Sequence, residues 1–231
     1  MSNFTTWRSL VDGSQIGSIP DSVTDHWPFG EGSGTTAGNE VSDRDLDIVG
    51  ASWESDADSR GGQHLECDGT EDVIQNDDSN VWSGFDTVSQ AIWIRPDDLS
   101  SRQFVAGGTD SGGGFGSGNH WSIAIEDNGE LAVQYDNFTT FDVLTQGDWI
   151  HIAVRYSDAE GGSELFINGE FEGSISESGD VPSVDGYSVG GPVNGDRRFF
   201  DGGTDDPHVG LEEYWSNSDI QEIYEEHPRS D

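Results

Sequence analysis

No lysine occurs in the 231 residues, and the whole basic complement is nine arginines. Against them stand 46 aspartates and glutamates, for a formal net charge of −37. This shortage of positive charge excludes general nucleic-acid binding through phosphates, which needs a basic face. A single cysteine, Cys67, excludes an intrachain disulfide. Its apolar strand context reads as a buried thiol rather than a nucleophile. No apolar run approaches the length of a membrane-spanning helix. Hydrophobic residues are scarce at 32%, yet eight Trp and eleven Phe supply bulky core material. The acids are interleaved with apolar strand residues rather than gathered in a tail, so the charge belongs to a folded surface and not to a disordered segment. At molar salt the Debye length falls to roughly 3 Å, and such a surface is screened while staying hydrated. The composition therefore predicts a protein of a high-salt environment, from a haloarchaeon or one of its viruses.

The most informative stretch runs from Gly147 to Gly169. Trp149, His151, Ala153 and Arg155 alternate with Ile150, Ile152, Val154 and Tyr156, the period-two pattern of a strand with one face in a core. Ser157 to Ser163 is turn material. Leu165-Phe166-Ile167 then runs into Asn168-Gly169, a strong hairpin signal, and Glu170 to Ile175 returns. Asp127-Asn128-Gly129 marks a second hairpin. Ser216 or Ser218 caps one short helix, on which Trp215, Ile220, Ile223 and Tyr224 share a face.

Gly147-x-Trp149-x-His151-x-Ala153-Val154-x-Tyr156, a Gly-rich turn and Leu165-Phe166-Ile167-Asn168-Gly169-Glu170 resemble the centre of the laminin-G-like, concanavalin-A-like jelly-roll domains. The likeness extends outward. It takes in Trp27 to Thr36, Gly61 to Ile74 with Cys67 in a Phe position, Val88 to Pro96, Gly190-Gly191, Phe200 to Asp206 and Trp215 to Tyr224. It implies an all-β fold, an antiparallel two-sheet jelly-roll sandwich with one short C-terminal helix, over residues 23–231. Residues 1–22 stand outside the pattern and are read as a docking or oligomerisation arm. Where the family has a Val-Arg-Ile-Tyr strand this chain has Pro207-His208-Val209-Gly210. Proline removes a ladder donor, so this strand is expected to be bulged, an edge, or shortened.

Three chemistries can be set against these residues. The resemblance implies a structural calcium joining the opening turn to the last strand, with Glu31, Asp205 and Asp206 as ligands and Asp68 with Asp72 as a second possibility; calcium takes six to eight oxygens. The resemblance also implies sugar or protein binding, for which Trp121, Tyr135 and Phe138, with Phe141 nearby, are the candidate glycan-stacking aromatics. Glu66-x-Asp68-x-x-Glu71 has the spacing of a jelly-roll glucanase, but Gly69-Thr70 reads as a turn that breaks a shared face. The spacing of His26, His64, His151 and His208 suggests no zinc site.

The chain is expected to bind rather than catalyse. No secretion signal is visible at its N-terminus, whereas such domains usually work outside cells. The leading expectation is a virion structural or adhesion protein of a haloarchaeal tailed virus, on the head or tail. It would be homo-oligomeric, docked to other virion proteins and directed at host surface glycans or glycoproteins, with no membrane insertion. The alternative is a secreted or cell-surface lectin module, and after it a glycoside hydrolase using Glu66 and Glu71.

Overall fold

A computed structural model describes residues 19–55, 62–82, 85–109, 120–134, 138–176, 181, 183–195 and 197–226. The arm expected at 1–22 lies outside these residues up to position 18, as do Tyr135 and residues 110–119. In chain order the strands are β1 (Asp25–His26), β2 (Thr36–Ala37), β3 (Leu46–Val49), β4 (Ser52–Ser55), β5 (Gln63–Asp68), β6 (Val73–Asn76), β7 (Thr87–Pro96) and β8 (Gln103–Thr109). There follow β9 (His120–Ile125), β10 (Leu131–Gln134), β11 (Phe138–Phe141), β12 (Ile150–Ser157), β13 (Gly162–Ile167), β14 (Glu170–Ser176), β15 (Gly186–Val189), β16 (Asp201–Leu211) and a helix, α1 (Asn217–Glu226).

The strands form two antiparallel sheets. The first runs β14-β13-β12-β7-β16-β5-β4, with β1 also paired to β16; the second runs β11-β10-β9-β8-β15-β6-β3-β2. This is the expected jelly-roll sandwich. Alternation fixes what each strand sends inward. From β12 it is Ile152, Val154 and Tyr156, and from β7 Val88, Ile92 and Ile94; all join the core between the sheets. Aromatic rings fill its middle. Tyr187 stacks on Trp27 and on Trp82 at 5.4 Å each, and Trp121 lies 5.9 Å from it.

Local signals act as read. Asn168 and Gly169 both take positive φ, 49° and 79°, between the paired residues Ile167 and Glu170, which is the type I′ hairpin their sequence favours. Ser216 is the helix cap. Its Oγ accepts from the Asp219 N–H at 3.1 Å, and Asp219 Oδ2 accepts from the Ser216 N–H at 2.8 Å, a reciprocal pair that satisfies two end donors. Of the outcomes set by Pro207, the bulge is the one found: β16 is eleven residues long and sits between β7 and β5, with a register shift between Asp205 and His208.

Candidate functional site

The outer face of the first sheet carries the polar chemistry. Its residues are those that alternate with the core: Glu66 between Leu65 and Cys67, Trp93 and Arg95 beside Ile92 and Ile94, His151 beside Ile152. Register aligns them in rows. One row is Glu66, Gly203, Arg95; the next is Asp205, Trp93, His151; a third is His26, His208, Ala91, Ala153, Phe166. Helix α1 covers the apolar end of the third row, where Ala91, Ala153 and Phe166 pack with Trp215, Ile220 and Ile223. Its Tyr224 reaches the second row, with ring centres 5.6 Å from both Trp93 and His151.

The first row remains partly open and is framed by Trp149. Arg95 Nη2 donates to Glu66 Oε1 at 2.8 Å and to Asp97 Oδ2 at 3.3 Å, and His64 Nε2 bonds Glu66 Oε2 at 2.9 Å. The Arg95 guanidinium lies 5.5 Å from the Trp149 ring centre, and His64 meets that ring edge-on at 5.3 Å. Side-chain exposures of 24% for Arg95 and Glu66 and 40% for Asp97 leave the cluster within reach of a ligand. Burial pushes the Glu66 carboxyl up, but the His64 hydrogen bond and the Arg95 charge outweigh it and hold it below its ordinary value. Close by, burial and the charges of Asp97, Asp98, Glu66 and Asp68 push Asp201 the other way. The result is a partly buried Trp149 ring flanked by fixed donors and acceptors.

The expected site residues are placed otherwise. Trp121 is 2% exposed in the inter-sheet core. This corrects its reading as an open platform: at that position alternation sends Trp121 inward, against the backbone space that Gly108 leaves. Phe138 pairs with Gln134 at the start of β11, Phe141 is partly buried against the core, and Tyr135 lies outside the described residues. Glu31 accepts a 2.7 Å hydrogen bond from the Gly38 N–H at the surface. Among the described residues it is not brought together with Asp205 and Asp206, both 1% exposed. Asp206 instead meets His26 and His208. Two imidazoles and a carboxylate do not fit calcium, which wants six to eight oxygens. Asp68 and Asp72 close their own turn, Asp72 Oδ2 accepting from the Asp68 N–H and Asp68 Oδ1 from Thr70, both at 2.8 Å. Glu71 sits in that same turn at φ 60°, off the strand that carries Glu66.

The Trp149–Arg95–Glu66 cluster had one signal in the sequence, the outward set Trp149, His151, Ala153, Arg155. Its partners come from β5, β7 and β16, and no local pattern joins them.

A two-sheet antiparallel sandwich with a capping helix and a polar outer face is the architecture of lectin-type jelly rolls. The chain belongs to the concanavalin A-like lectin/glucanases superfamily, whose Laminin_G_3 family model matches residues 68–209. Among solved structures it superposes on Trypanosoma rangeli sialidase in complex with sialic acid with a TM-score of 0.70 at 10% identity, over 90% of this chain and 33% of that one. On domain 4 of an extracellular arabinanase from Geobacillus stearothermophilus, in complex with arabinotriose, the TM-score is 0.66 at 18% identity, over 87% and 98%. On the receptor-binding domain of a mosaic serotype C/D botulinum neurotoxin it is 0.65 at 16% identity, over 90% and 51%. The chain thus spans about a third of the sialidase it matches. These likenesses establish the fold. No match is found among curated proteins.

Proposed function

We propose that the protein is a non-enzymatic carbohydrate-binding jelly roll that works in high salt, with Trp149 as its sugar platform. The observation that carries this reading is the partly buried Trp149 ring fixed between Arg95 and His64, with the partly exposed Glu66 and Asp97 alongside. A sugar presents an apolar C–H face and a rim of hydroxyls. An aromatic face takes the first, and fixed carboxylates and guanidinium take the second. Membership of a lectin/glucanase superfamily supports it, as does a match over nearly the whole of a domain seen with arabinotriose. Binding is favoured over cleavage because Glu71, the second carboxylate of the pair weighed for hydrolysis, sits in a turn at φ 60°, off the strand that carries Glu66, whereas hydrolysis needs both carboxyls facing one bond.

A glycan array probed in molar KCl tests this. Binding to one glycan class, lost in Trp149→Ala with unchanged far-UV circular dichroism, is the expected result. Binding that survives Trp149→Ala refutes the placement, and release of reducing sugar abolished by Glu66→Gln refutes the non-enzymatic reading. Display on a haloarchaeal virion is the finer reading. It is tested by mass spectrometry of purified virions, and recovery of the chain only from supernatant or cell envelope makes it a secreted or surface lectin module.

A further inference from the structure

Asp205 faces Trp93 and His208 faces Ala91, so β16 uses three residues where β7 uses two. The extra residue makes a β-bulge, a device common beside functional sites because it re-aims a side chain. Asp206 takes φ +54° in it, a left-handed conformation that costs a non-glycine residue free energy and that clusters at ligand sites. Pro207 fits the bulge because it has no N–H to lose. Its carbonyl accepts from the Trp27 N–H at 3.0 Å and so ties down β1.

The bulge turns Asp206 toward two histidines that are neighbours across the β1–β16 ladder. Asp206 Oδ1 lies 2.6 Å from His26 Nε2. The His26 and His208 rings stack at 4.0 Å and 11°. One ligand atom from each of the three lies within 4.8 Å of the others. All three side chains are buried, with 1% exposure or less.

The far side of the His208 ring is anchored, and a carboxylate stands near that of His26. His208 Nδ1 donates to the Asp206 carbonyl at 2.8 Å, which places the proton on Nδ1 and the lone pair on Nε2. His26 turns Nδ1 toward the Glu40 carboxylate at 3.7 Å. Metal-binding imidazoles are oriented in this way, the second nitrogen on a carbonyl or carboxylate. Two imidazole nitrogens and one carboxylate suit zinc and its neighbours and leave a fourth position for water. A tetrahedral ion with bonds of about 2.1 Å keeps its ligand atoms roughly 3.4 Å apart. The short His26–Asp206 contact therefore opens by on the order of 1 Å, and because rings stacked at 11° send their lone pairs side by side, one imidazole turns about χ2 to meet the ion.

We propose that His26, Asp206 and His208 bind a divalent transition-metal ion of the zinc type, which clamps the opening strand to the last one. The ion takes the place of the proton at the His26–Asp206 contact, and that proton passes to solvent. The site is independent of the Trp149 patch and of the glycan reading.

The test uses the full chain, stripped with a chelator and held in molar KCl so that the acidic surface is screened. Zn²⁺ is titrated by calorimetry and Co²⁺ by visible absorption. One ion per chain, a tetrahedral Co²⁺ spectrum and a raised Tm on metal addition are expected. Asp206→Asn and His208→Gln are each expected to weaken binding at least about a hundredfold. Because Asp206 also bonds His26, loss of folding in these variants is a separate route to lost binding. Glu40→Gln, at a partly exposed carboxylate beside the far side of His26, provides the independent reading: about tenfold weaker Zn²⁺ binding with unchanged circular dichroism. No stoichiometric Zn²⁺ or Co²⁺ binding, binding indifferent to all three substitutions, or Ca²⁺ bound in place of Zn²⁺ overturns the proposal.

Discussion

Arg95 crosses Gly203 to reach Glu66. The three residues are neighbours across β7, β16 and β5, and the guanidinium spans the glycine to bond Glu66 Oε1 at 2.8 Å and Oε2 at 2.9 Å. A Cβ at Gly203 would stand 2.9 Å from Trp149 Cη2 and 3.1 Å from His64 Cδ2. Gly203→Ala therefore pushes the Trp149 ring off its seat. Overpacking of this kind costs about 1–3 kcal/mol. Thermal unfolding should show that loss, and glycan affinity should fall at least tenfold. A lowered Tm with unchanged affinity would take Trp149 out of the binding site.

Glu66 gives the protein an acid limit. Its folded-state value is lowered, so its contribution to stability is present above the unfolded value, about 4.3 for Glu, and is lost as pH falls through the folded value. Glu66→Gln removes the contribution at all pH. The variant should be less stable than the parent at pH 7, and the gap should close in acid. A gap that persists unchanged at pH 3 would mean that the residue acts by packing alone.

Asp201 acts in the opposite sense. Burial, with Asp97, Asp98, Glu66 and Asp68, raises its folded value, so its ionised form opposes folding above that pH and protonation relieves the strain. Asp201→Asn should raise Tm at pH 7, with the gain shrinking in acid as the parent takes up its proton. The gain should also be larger at 0.1 M salt than at molar salt, where the Debye length drops from about 10 Å to about 3 Å. With a net charge of −37, the parent should itself lose Tm on that dilution. A parent equally stable at both salt concentrations would count against the high-salt reading.

The strands were legible because they are period-two segments, and the hairpins because Asn168-Gly169 and Asn128-Gly129 name their turns. The helix was legible from Ser216 and its apolar spacing. Sites were less so, because their residues come from far apart in the chain. His26 and Asp206 are separated by 180 positions, and no local spacing announces them as partners; the one clue was Pro207 in a strand, which foretold the bulge but not what it gathers. Trp121 misled for a different reason. It lies in the hairpin around Asp127-Asn128-Gly129, which suggests exposure, yet strand alternation turns it inward with Ile123 and Ile125.

That inward position makes Trp121 a direct test of the core. Its indole fills the space beside Gly108, where an added Cβ would come within 2.5 Å of Cε2 and Nε1, and it lies 5.9 Å from the Tyr187 ring. Trp121→Ala opens a cavity between the sheets and should cost about 3–5 kcal/mol, the range for buried aromatics. For a chain of this length each kcal/mol lowers Tm by about 2–4 °C, so a drop of roughly 6–20 °C follows from the two ranges. Gly108→Ala should reproduce part of the drop by forcing the ring from the other side. Glycan affinity of the folded fraction should be unchanged in Trp121→Ala, in contrast to Trp149→Ala. The reverse pattern, normal stability with lost binding, would return Trp121 to the glycan-stacking role expected from the sequence.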